Sequence, residues 1–160
     1  METQIEQKKA KIEETIKKIV GFMDLECRIE FREEDKEGKV LFASIYTPEN
    51  ARLLIGKNGQ TLKALEHVIR LLLPEEHEPA GVLIDINDYR KSRTNYLMDL
   101  ARQAVGRVRN TQKAEALVPM TPYERRVVHM ELASCPDITT ESIGEEPHRR
   151  VVIKPFVSTI

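Results

Sequence analysis

The stretch Leu53-Leu-Ile-Gly-Lys-Asn-Gly-Gln-Thr-Leu-Lys-Ala-Leu-Glu-His-Val-Ile-Arg-Leu-Leu-Leu73 carries the most specific pattern in this chain. Its centre is a Gly-x-x-Gly turn at Gly56–Gly59. The residues after the turn repeat apolar side chains at spacings of three and four, which predicts a helix. These side chains are Leu62, Leu65, Val68, Ile69 and Leu72. A turn with few side chains therefore leads directly into the start of a helix.

The chemistry of this turn favours an anion. Glycine has no Cβ, so a phosphodiester can approach the main chain, and the first N–H groups of a helix lack an intrahelical partner. Lys57 adds a positive charge at the same place. A nucleotide-hydrolysing phosphate loop does not fit, because it needs Ser or Thr directly after its Lys. This chain has Asn58 at that position.

Length and composition limit the class of protein. A chain of 160 residues can hold one ordinary domain or two small ones, and 41% hydrophobic residues are enough for packed cores. The sequence has no apolar run long enough to span a membrane and no secretory signal at its start, which predicts a cytoplasmic protein. Cys27 and Cys135 are far apart and fit free thiols in cores better than a disulfide or metal site. No metal and no cofactor is predicted.

The overall charge of −1 hides an uneven distribution. Residues 1–88 carry 13 Lys and Arg against 18 Asp and Glu, a net charge of −5, whereas residues 89–160 carry 12 against 8, a net charge of +4. Excess positive charge is typical of a surface that contacts nucleic acid, although a charged helix face is more often simply solvated. The second half is therefore predicted to contribute the cationic surface.

Along the first half the patterns predict the order helix, strand, strand, helix, turn, helix, strand. The predicted elements are a helix over residues 3–21, strands over 27–32 and 39–47, a short helix through Leu53 and Ile55, the helix that follows the turn up to Pro74, and a strand over 81–87. A charged turn is predicted at residues 33–38 and an acidic loop after Pro74. Alternation along the first strand places Cys27, Ile29 and Phe31 on one face, which indicates a half-buried antiparallel hairpin.

This order, with the Gly-x-x-Gly turn between two helices, resembles the type II KH domain. The resemblance implies a three-stranded sheet backed by three helices, with the turn clamping about four nucleotides of single-stranded nucleic acid. It implies that the contacts come from the turn and the helix after it: Gly56, Lys57, Asn58, Gly59, Thr61 and Lys63. Bases would then lie in an apolar groove between that helix and the strand Val82–Ile86. An α/β module whose turn binds nothing remains the alternative.

The second half begins with a predicted helix over residues 88–110, followed by a strand over 115–118. The helix has an apolar stripe at Leu97, Leu100, Ala101, Ala104, Val105 and Val108. Most of the arginines around it are predicted to lie on a solvated face. A further helix should begin at Thr121, with Pro122 in its first position and Glu124 as capping-box partner. Angular positions predict a basic face and an opposite apolar face on it: Arg125, Arg126 and His129 against Tyr123, Val127 and Met130.

This helix and the tail Thr140–Pro155, with its Gly-Glu-Glu-Pro and Arg-Arg-Val-Val-Ile segments, closely resemble the Arg-x-x-x-His (R-three-H) domain. The combination is similar to the bacterial Jag family, also called SpoIIIJ-associated or KhpB proteins. The resemblance implies a KH domain at 1–88 and a small α/β R-three-H domain at 89–160. It also implies RNA contacts from Arg125, Arg126, His129, Arg149 and Arg150. Many family members carry another N-terminal domain, which is expected to be absent because the sequence starts at the KH helix.

The resulting hypothesis is a non-catalytic protein that binds single-stranded RNA, as a post-transcriptional regulator or RNA chaperone linked to cell-envelope and cell-division control. Another KH protein, or a second copy of the chain, is a candidate partner. With 5% aromatic residues, recognition led by base stacking is not expected. The alternatives are an adaptor for protein partners and a ribonuclease using His129, which lacks an evident catalytic partner in sequence. As a binding residue, His129 would strengthen RNA affinity as the pH falls toward about 6.5.

Overall fold

A computed structural model describes residues 2–33, 40–73 and 81–156 of the chain. They form a mixture of helices and strands, which confirms the α/β class predicted from the sequence. The chain divides into two compact units, Met1–Arg90 and Lys91–Ile160. Of the charged turn predicted at residues 33–38, Glu33 ends a strand and residues 34–38 lie outside the described residues, as does the acidic loop predicted to follow Pro74.

The first unit contains three helices and one sheet. Its elements are α1 (Glu2–Gly21), β1 (Arg28–Glu33), β2 (Val40–Tyr46), α2 (Ala51–Ile55), α3 (Gln60–Leu72) and β3 (Gly81–Ile86). The strand order is β1-β2-β3, with β1 antiparallel and β3 parallel to β2. This is the element order predicted from the sequence. It leaves β3 at an edge of the sheet, with no strand on its outer side among the described residues.

Hydrophobic periodicity explains how this unit packs. α1 and α3 each bury one stripe of side chains at spacings of three and four, while strand residues that alternate along the chain face the same side. Burial of each large aliphatic side chain contributes about 1.5–3 kcal/mol. Both α2 and α3 are anchored in this core, so the turn between them is held at both ends. The buried core consists of Ile12, Ile16, Val20, Leu41, Ala43, Ile45, Leu54, Leu62, Leu65, Ile69, Val82, Ile84 and Ile86.

The remaining elements are α4 (Tyr89–Thr111), β4 (Glu115–Pro119), α5 (Pro122–Leu132), β5 (Ile138–Ile143) and β6 (Arg150–Pro155). The three strands form an antiparallel sheet in the order β4-β6-β5. β5 and β6 are additions to the predicted elements. In β6 the alternation of buried Val151 and Ile153 is the sequence signal that indicates a strand.

The core of the second unit lies between the sheet and one face each of α4 and α5. The stripe predicted on α4 is buried, with Leu100 at its margin. Cys27 and Cys135 are free thiols, each partly buried against the core of its own unit, as predicted. The buried residues of the second core are Leu97, Ala101, Ala104, Val105, Val108, Leu117, Met120, Val128, Leu132, Ile138, Val151 and Ile153.

The prediction for the two faces of α5 is wrong. Two residues assigned to its apolar face are largely exposed, Tyr123 at 70% and Met130 at 67%. The buried face instead contains Arg125, Val128 and Leu132. A guanidinium can be buried where acceptors surround it, and helical periodicity alone does not reveal those acceptors.

Most of the cationic side chains of α4 form ion pairs within the second unit, where the sequence predicted solvated arginines. The pairs are Arg93 with Glu124 at 3.1 Å, Arg102 with Glu131 at 2.6 Å, Arg107 with Glu115 at 2.6 Å, and Arg109 with Asp137 at 2.6 Å. The hydrogen bond from Arg109 lowers the pKa of Asp137. The Arg93–Glu124 pair is largely buried, whereas the other three pairs are exposed and contribute little to stability because solvent screens them. Much of the positive charge of this half is therefore balanced locally.

Candidate nucleic-acid interface

The Gly-x-x-Gly turn lies between α2 and α3 and contains a short 3-10 segment, Lys57–Gly59, in which Asn58 departs from helical geometry. Gly56, Asn58 and Gly59 have left-handed backbone conformations, with φ of 72°, 54° and 78°. At Gly56 the ψ of −178° places the residue in a region that is open essentially only to glycine. Asparagine tolerates the left-handed region better than most residues. The residue types of the turn therefore follow from its backbone.

Side chains of the same unit fill the space beside both glycines. A Cβ added at Gly56 would lie 2.1 Å from Oγ1 of Thr61, and a Cβ at Gly59 would lie 2.9 Å from Cε1 of Tyr89. Both separations are too short for non-bonded atoms. The packing of the unit itself thus requires the two glycines, and a ligand would be bound by the groups of the turn that remain exposed.

The exposed groups of the turn suit an anion. Lys57 and Lys63 are exposed, and neither pairs with an acidic side chain in the part of the chain that the structure describes. No side chain caps the start of α3, where Gly59 is the capping residue. The partial positive charge at a helix start attracts phosphate, and two nearby ammonium groups add to it. Within the described residues, the turn therefore presents positive charge that no acidic side chain balances.

A charged cluster occupies the outer edge of β3, where the sequence predicted an apolar groove. The carboxylate of Glu66 accepts hydrogen bonds from the main-chain N–H of Ile84 at 3.0 Å, from Arg90 at 2.7 Å and from Arg70 at 2.8 Å. Arg70 also donates to the carbonyl of Val82 at 3.0 Å, and Arg90 to that of Ile84 at 2.9 Å. These side chains form hydrogen bonds with main-chain N–H and carbonyl groups of β3 that a neighbouring strand would otherwise engage. Bases are therefore not expected to pair with the β3 main chain.

Arg125, the first of the Arg-x-x-x-His pair, lies inside the second unit. It is 8% exposed, and its Nη1 donates to the carbonyl of Met120 at 2.8 Å and to Oε1 of Glu146 at 2.7 Å. Glu146 belongs to the loop between β5 and β6. The guanidinium therefore joins that loop to the start of α5, and its charge is balanced by a carboxylate of the same unit.

His129, the second member of the pair, joins α5 to β5. Its Nδ1 lies 2.7 Å from Oγ1 of Thr140, and its Nε2 lies 3.1 Å from Oγ of Ser142. Partial burial lowers the pKa of His129, and the nearby charge of Arg125 lowers it further. The imidazole is therefore neutral at pH 7, with one nitrogen donating and the other accepting, and the two hydroxyls can match either tautomer.

The other predicted contacts of the second unit are more open. Arg126 and Arg149 are exposed, and among the described residues neither forms an ion pair. Arg150 is partly buried, and its Nε donates to the carbonyl of His148 at 3.2 Å. The main chain of Arg149 lies at the start of α5, because its carbonyl accepts from the N–H of Met120 at 3.0 Å. Arg126 and Arg149 are thus available to a phosphate without the loss of an internal pair.

Residues 2–33, 40–73 and 81–156 contain no group of three or more His, Cys, Asp or Glu side chains placed to hold a metal ion. The helices within those ranges include none that is both long and apolar enough to cross a membrane.

Comparison with known proteins identifies the second unit and extends into the first. Residues 95–155 match the family model of the R-three-H domain. The chain is 34% identical over 132 residues to RNA-binding protein KhpB of Clostridium symbiosum, an alignment that covers 82% of this chain and 58% of that protein. Because 132 residues exceed the length of the second unit, Lys91–Ile160, the similarity includes part of the first. The chain belongs to the KhpB family.

Two further KhpB proteins support the assignment. The one from Bacillus subtilis is 39% identical over 112 residues, 67% of this chain and 53% of that protein. The one from Lactiplantibacillus plantarum is 39% identical over 104 residues, 63% of this chain and 32% of that protein. The chain therefore spans about a third to three fifths of the length of these KhpB relatives. The resemblance to the Jag family and the R-three-H domain, drawn from the sequence, is confirmed.

Three features of this KhpB-family interface have no counterpart among the residues predicted from the sequence. They are the ring of Tyr89 beside Gly59, the carboxylate of Glu146 on Arg125, and the β5 hydroxyls around His129. Each joins residues that are distant in sequence. A helical or strand repeat reports only on neighbours along one element, so no local pattern could have found them.

Proposed function

We propose that this member of the KhpB family binds single-stranded RNA in the cytoplasm, catalyses no reaction, and acts as a post-transcriptional regulator or RNA chaperone linked to cell-envelope and cell-division control. The observation that carries the proposal is the Gly56–Gly59 turn, where exposed Lys57 and Lys63 flank an uncapped helix start. Phosphate contacts of this kind position a strand without reading its bases. The relatives' name, RNA-binding protein, supports RNA as the ligand.

The domain assignment is part of the proposal. The first unit has the order α-β-β-α-α-β with the Gly-x-x-Gly turn between two helices, which supports a type II KH domain at 1–88. The second domain, at 89–160, would add phosphate contacts through Arg126, Arg149 and Arg150. Arg125 and His129 would then support this surface from within rather than touch the strand, because both are engaged by groups of their own unit.

The surroundings of His129 support a binding protein over a ribonuclease. Within the described residues, its two ring nitrogens contact hydroxyl groups of Thr140 and Ser142. A catalytic His ordinarily has a carboxylate or a second titrating group that orients it and shares its proton. Hydroxyl partners do not perform that role at neutral pH.

A second KH-type chain, either another protein or a copy of this one, is proposed as a protein partner. α3 exposes apolar side chains on the face that points away from the core: Val68 at 42%, Leu71 at 70% and Leu72 at 54%. Exposed apolar surface of this kind is typical of an interface. Sedimentation of the chain alone should show a dimer that Leu71→Glu dissociates. A monomer at all concentrations would leave only a different chain as partner.

The function is tested by replacing the two middle residues of the turn. Lys57→Asp with Asn58→Asp keeps both glycines but places negative charge where a phosphate would bind. A lost charged hydrogen bond is worth about 1.5–3 kcal/mol, so the affinity for RNA should fall at least about tenfold. Thermal unfolding should change little, since neither side chain is part of the buried core. Fluorescence anisotropy of a labelled single-stranded oligonucleotide measures the affinity.

A matched control separates the turn from the general charge of the chain. Gln112→Asp with Lys113→Asp makes the same change in net charge at exposed positions of the second unit. Its affinity should fall much less than that of the turn variant. Equal losses would mean that only the overall charge matters, and full binding by the turn variant would remove the turn from the interface.

A further inference from the structure

The ring of Tyr89 lies directly against Gly59. A Cβ at that glycine would be 2.9 Å from Cε1 of the ring and 3.3 Å from its phenol oxygen, so the ring occupies the space that glycine leaves open. Tyr89 is the first residue of α4, and it also packs on the core of the first unit. The contact therefore links the turn before α3 to a fixed point of the fold.

The backbone in front of Tyr89 has an uncommon conformation. Asn87 and Asp88 are both left-handed, with φ of 49° and 56°. Non-glycine residues in this region cost on the order of 1 kcal/mol each and persist only where the surrounding structure holds them. Asn and Asp tolerate this region better than other residues, and two of them in succession set a sharp corner directly before the ring.

Hydrogen bonds on both sides of Tyr89 support this corner. The side chain of Asn87 accepts from the N–H of Thr47 at 3.0 Å and donates to the carbonyl of Thr47 at 2.9 Å. After the ring, the N–H of Arg90 donates to Oδ1 of Asp85 at 3.1 Å. The main chain that carries the ring is thus tied to β3 and to the end of β2, and the packing of Tyr89 on the core holds the ring beside Gly59.

The opposite end of the turn is braced as well. The side chain of Thr61 fills the space beside Gly56, where a Cβ would lie 2.1 Å from its Oγ1. Lys57 and Asn58 lie between the two braced glycines, and Lys57 is exposed. The turn is therefore held from within at both ends, while its middle remains accessible.

We propose that Tyr89 is a positioning residue, whose ring keeps the Gly56–Gly59 turn in the conformation that presents Lys57 and the start of α3 to a phosphate. This inference rests on the proposed binding of RNA by the turn. When only a fraction of the molecules has the competent conformation, the apparent Kd rises by the inverse of that fraction. Since the ring contacts the turn and not the phosphate, its loss weakens binding without changing the number of phosphate contacts.

The test compares Tyr89→Leu, which removes the ring but keeps an apolar side chain, with Tyr89→Phe, which keeps the ring. If the competent fraction falls to about a tenth, Tyr89→Leu weakens RNA binding about tenfold, and Tyr89→Phe binds like the parent. The slope of log K against log salt stays the same in both variants. In Lys57→Gln, by contrast, one phosphate contact is lost and the slope becomes shallower by about 0.7.

Amide hydrogen exchange provides a readout that does not depend on RNA. Exchange at Lys57–Gly59 should be faster in Tyr89→Leu than in the parent, while exchange in β2 stays slow because the core is intact. If Tyr89→Leu also speeds exchange in β2, the experiment uses Asn87→Gly instead. This variant removes the side-chain bonds of Asn87 to Thr47 but keeps the ring of Tyr89. Exchange should again be faster at Lys57–Gly59 and stay slow in β2.

Two results would overturn the inference. One is unchanged exchange at the turn in Tyr89→Leu with unchanged affinity. The other is weaker binding with unchanged exchange, which would make the ring a direct contact for a base. If the parent does not bind RNA but exchange at the turn is faster in Tyr89→Leu, the proposed function is rejected. The conclusion that the ring of Tyr89 positions the turn would still hold.

Discussion

The starts of α3 and α5 satisfy their main-chain N–H groups in opposite ways. At α5, Oγ1 of Thr121 accepts from the N–H of Glu124 at 3.3 Å, and the carboxylate of Glu124 accepts from the N–H of Thr121 at 2.7 Å. At α3, Gly59 is the capping residue and no side chain caps the helix, while the N–H of Gln60 donates to the carbonyl of Lys57 in the preceding turn. A start capped by side chains has used those donors, whereas a start without a side-chain cap keeps more of its N–H groups for water or a ligand.

The cations near the two helices differ in the same way. Lys57 and Lys63 are exposed beside α3, whereas Arg125 and His129 on α5 are held by groups of their own unit. The Arg and His after which the motif is named can therefore be required for folding of the domain rather than for binding of a ligand. Substitutions near α3 should weaken RNA binding and leave the second unit folded. Substitution of the Arg-x-x-x-His pair should first destabilise the second unit.

The largest effect is expected from Gly56→Ala. Alanine would have to adopt a φ of 72° with a ψ of −178°, and its Cβ would lie 2.1 Å from Oγ1 of Thr61. Backbone strain and the clash together should lower the free energy of unfolding of the first unit by about 3 kcal/mol. Urea unfolding followed by far-ultraviolet circular dichroism and by exchange in β2 measures the loss.

Gly21→Ala is the matched control in the same unit. Nothing lies within 4 Å of a Cβ at this position, at the end of α1, so stability should stay within about 1 kcal/mol of the parent. A loss at Gly56 no larger than at Gly21 would contradict the conclusion that the turn itself requires glycine.

Arg125→Ala should lower the stability of the second unit by about 2 kcal/mol. The change removes two hydrogen bonds from a buried guanidinium and leaves the carbonyl of Met120 without this donor. Glu146 is half-exposed and can be solvated, which limits the loss. Its exposed neighbour provides the control, because Arg126→Ala should change stability by less than about 0.5 kcal/mol. Equal stability of the two variants would mean that the buried pair contributes nothing.

Local patterns predicted much of the fold and little of the interface. The stripe of α4 and the Thr121–Glu124 capping box depend on residues three or four apart, and both are present as predicted. The burial of Arg125 depends on Glu146, which lies far along the chain. Periodicity cannot detect such a partner, so a charged residue was expected at the surface and the buried face of α5 was assigned to the wrong residues.

The salt dependence of RNA binding should distinguish the two neighbouring arginines of α5. If exposed Arg126 contacts a phosphate, Arg126→Ala makes the slope of log K against log salt shallower by about 0.7, the value for one single-strand contact. Arg125→Ala should leave the slope unchanged at a temperature where the unit is still folded, since its charge is already paired. A shallower slope in Arg125→Ala alone would show that Arg125 contacts a phosphate.

The smallest effect concerns His129. Burial and the charge of Arg125 lower its pKa in the folded unit, so the unfolded chain, with a pKa of about 6.5, binds a proton more readily. The stability that the neutral imidazole contributes is therefore fully present above about pH 6.5. It is lost as the pH falls from there through the lower pKa of the folded state. His129→Gln, which can still meet the hydroxyls of Thr140 and Ser142, should remove this part of the pH dependence in urea unfolding. Because hydroxyl groups of the same unit engage both ring nitrogens, RNA affinity should show no His129-dependent rise between pH 8 and 6, unlike the expectation from the sequence. Such a rise, lost in His129→Gln, would make the side chain a phosphate contact, and RNA fragments formed by the parent but not by this variant would make it catalytic.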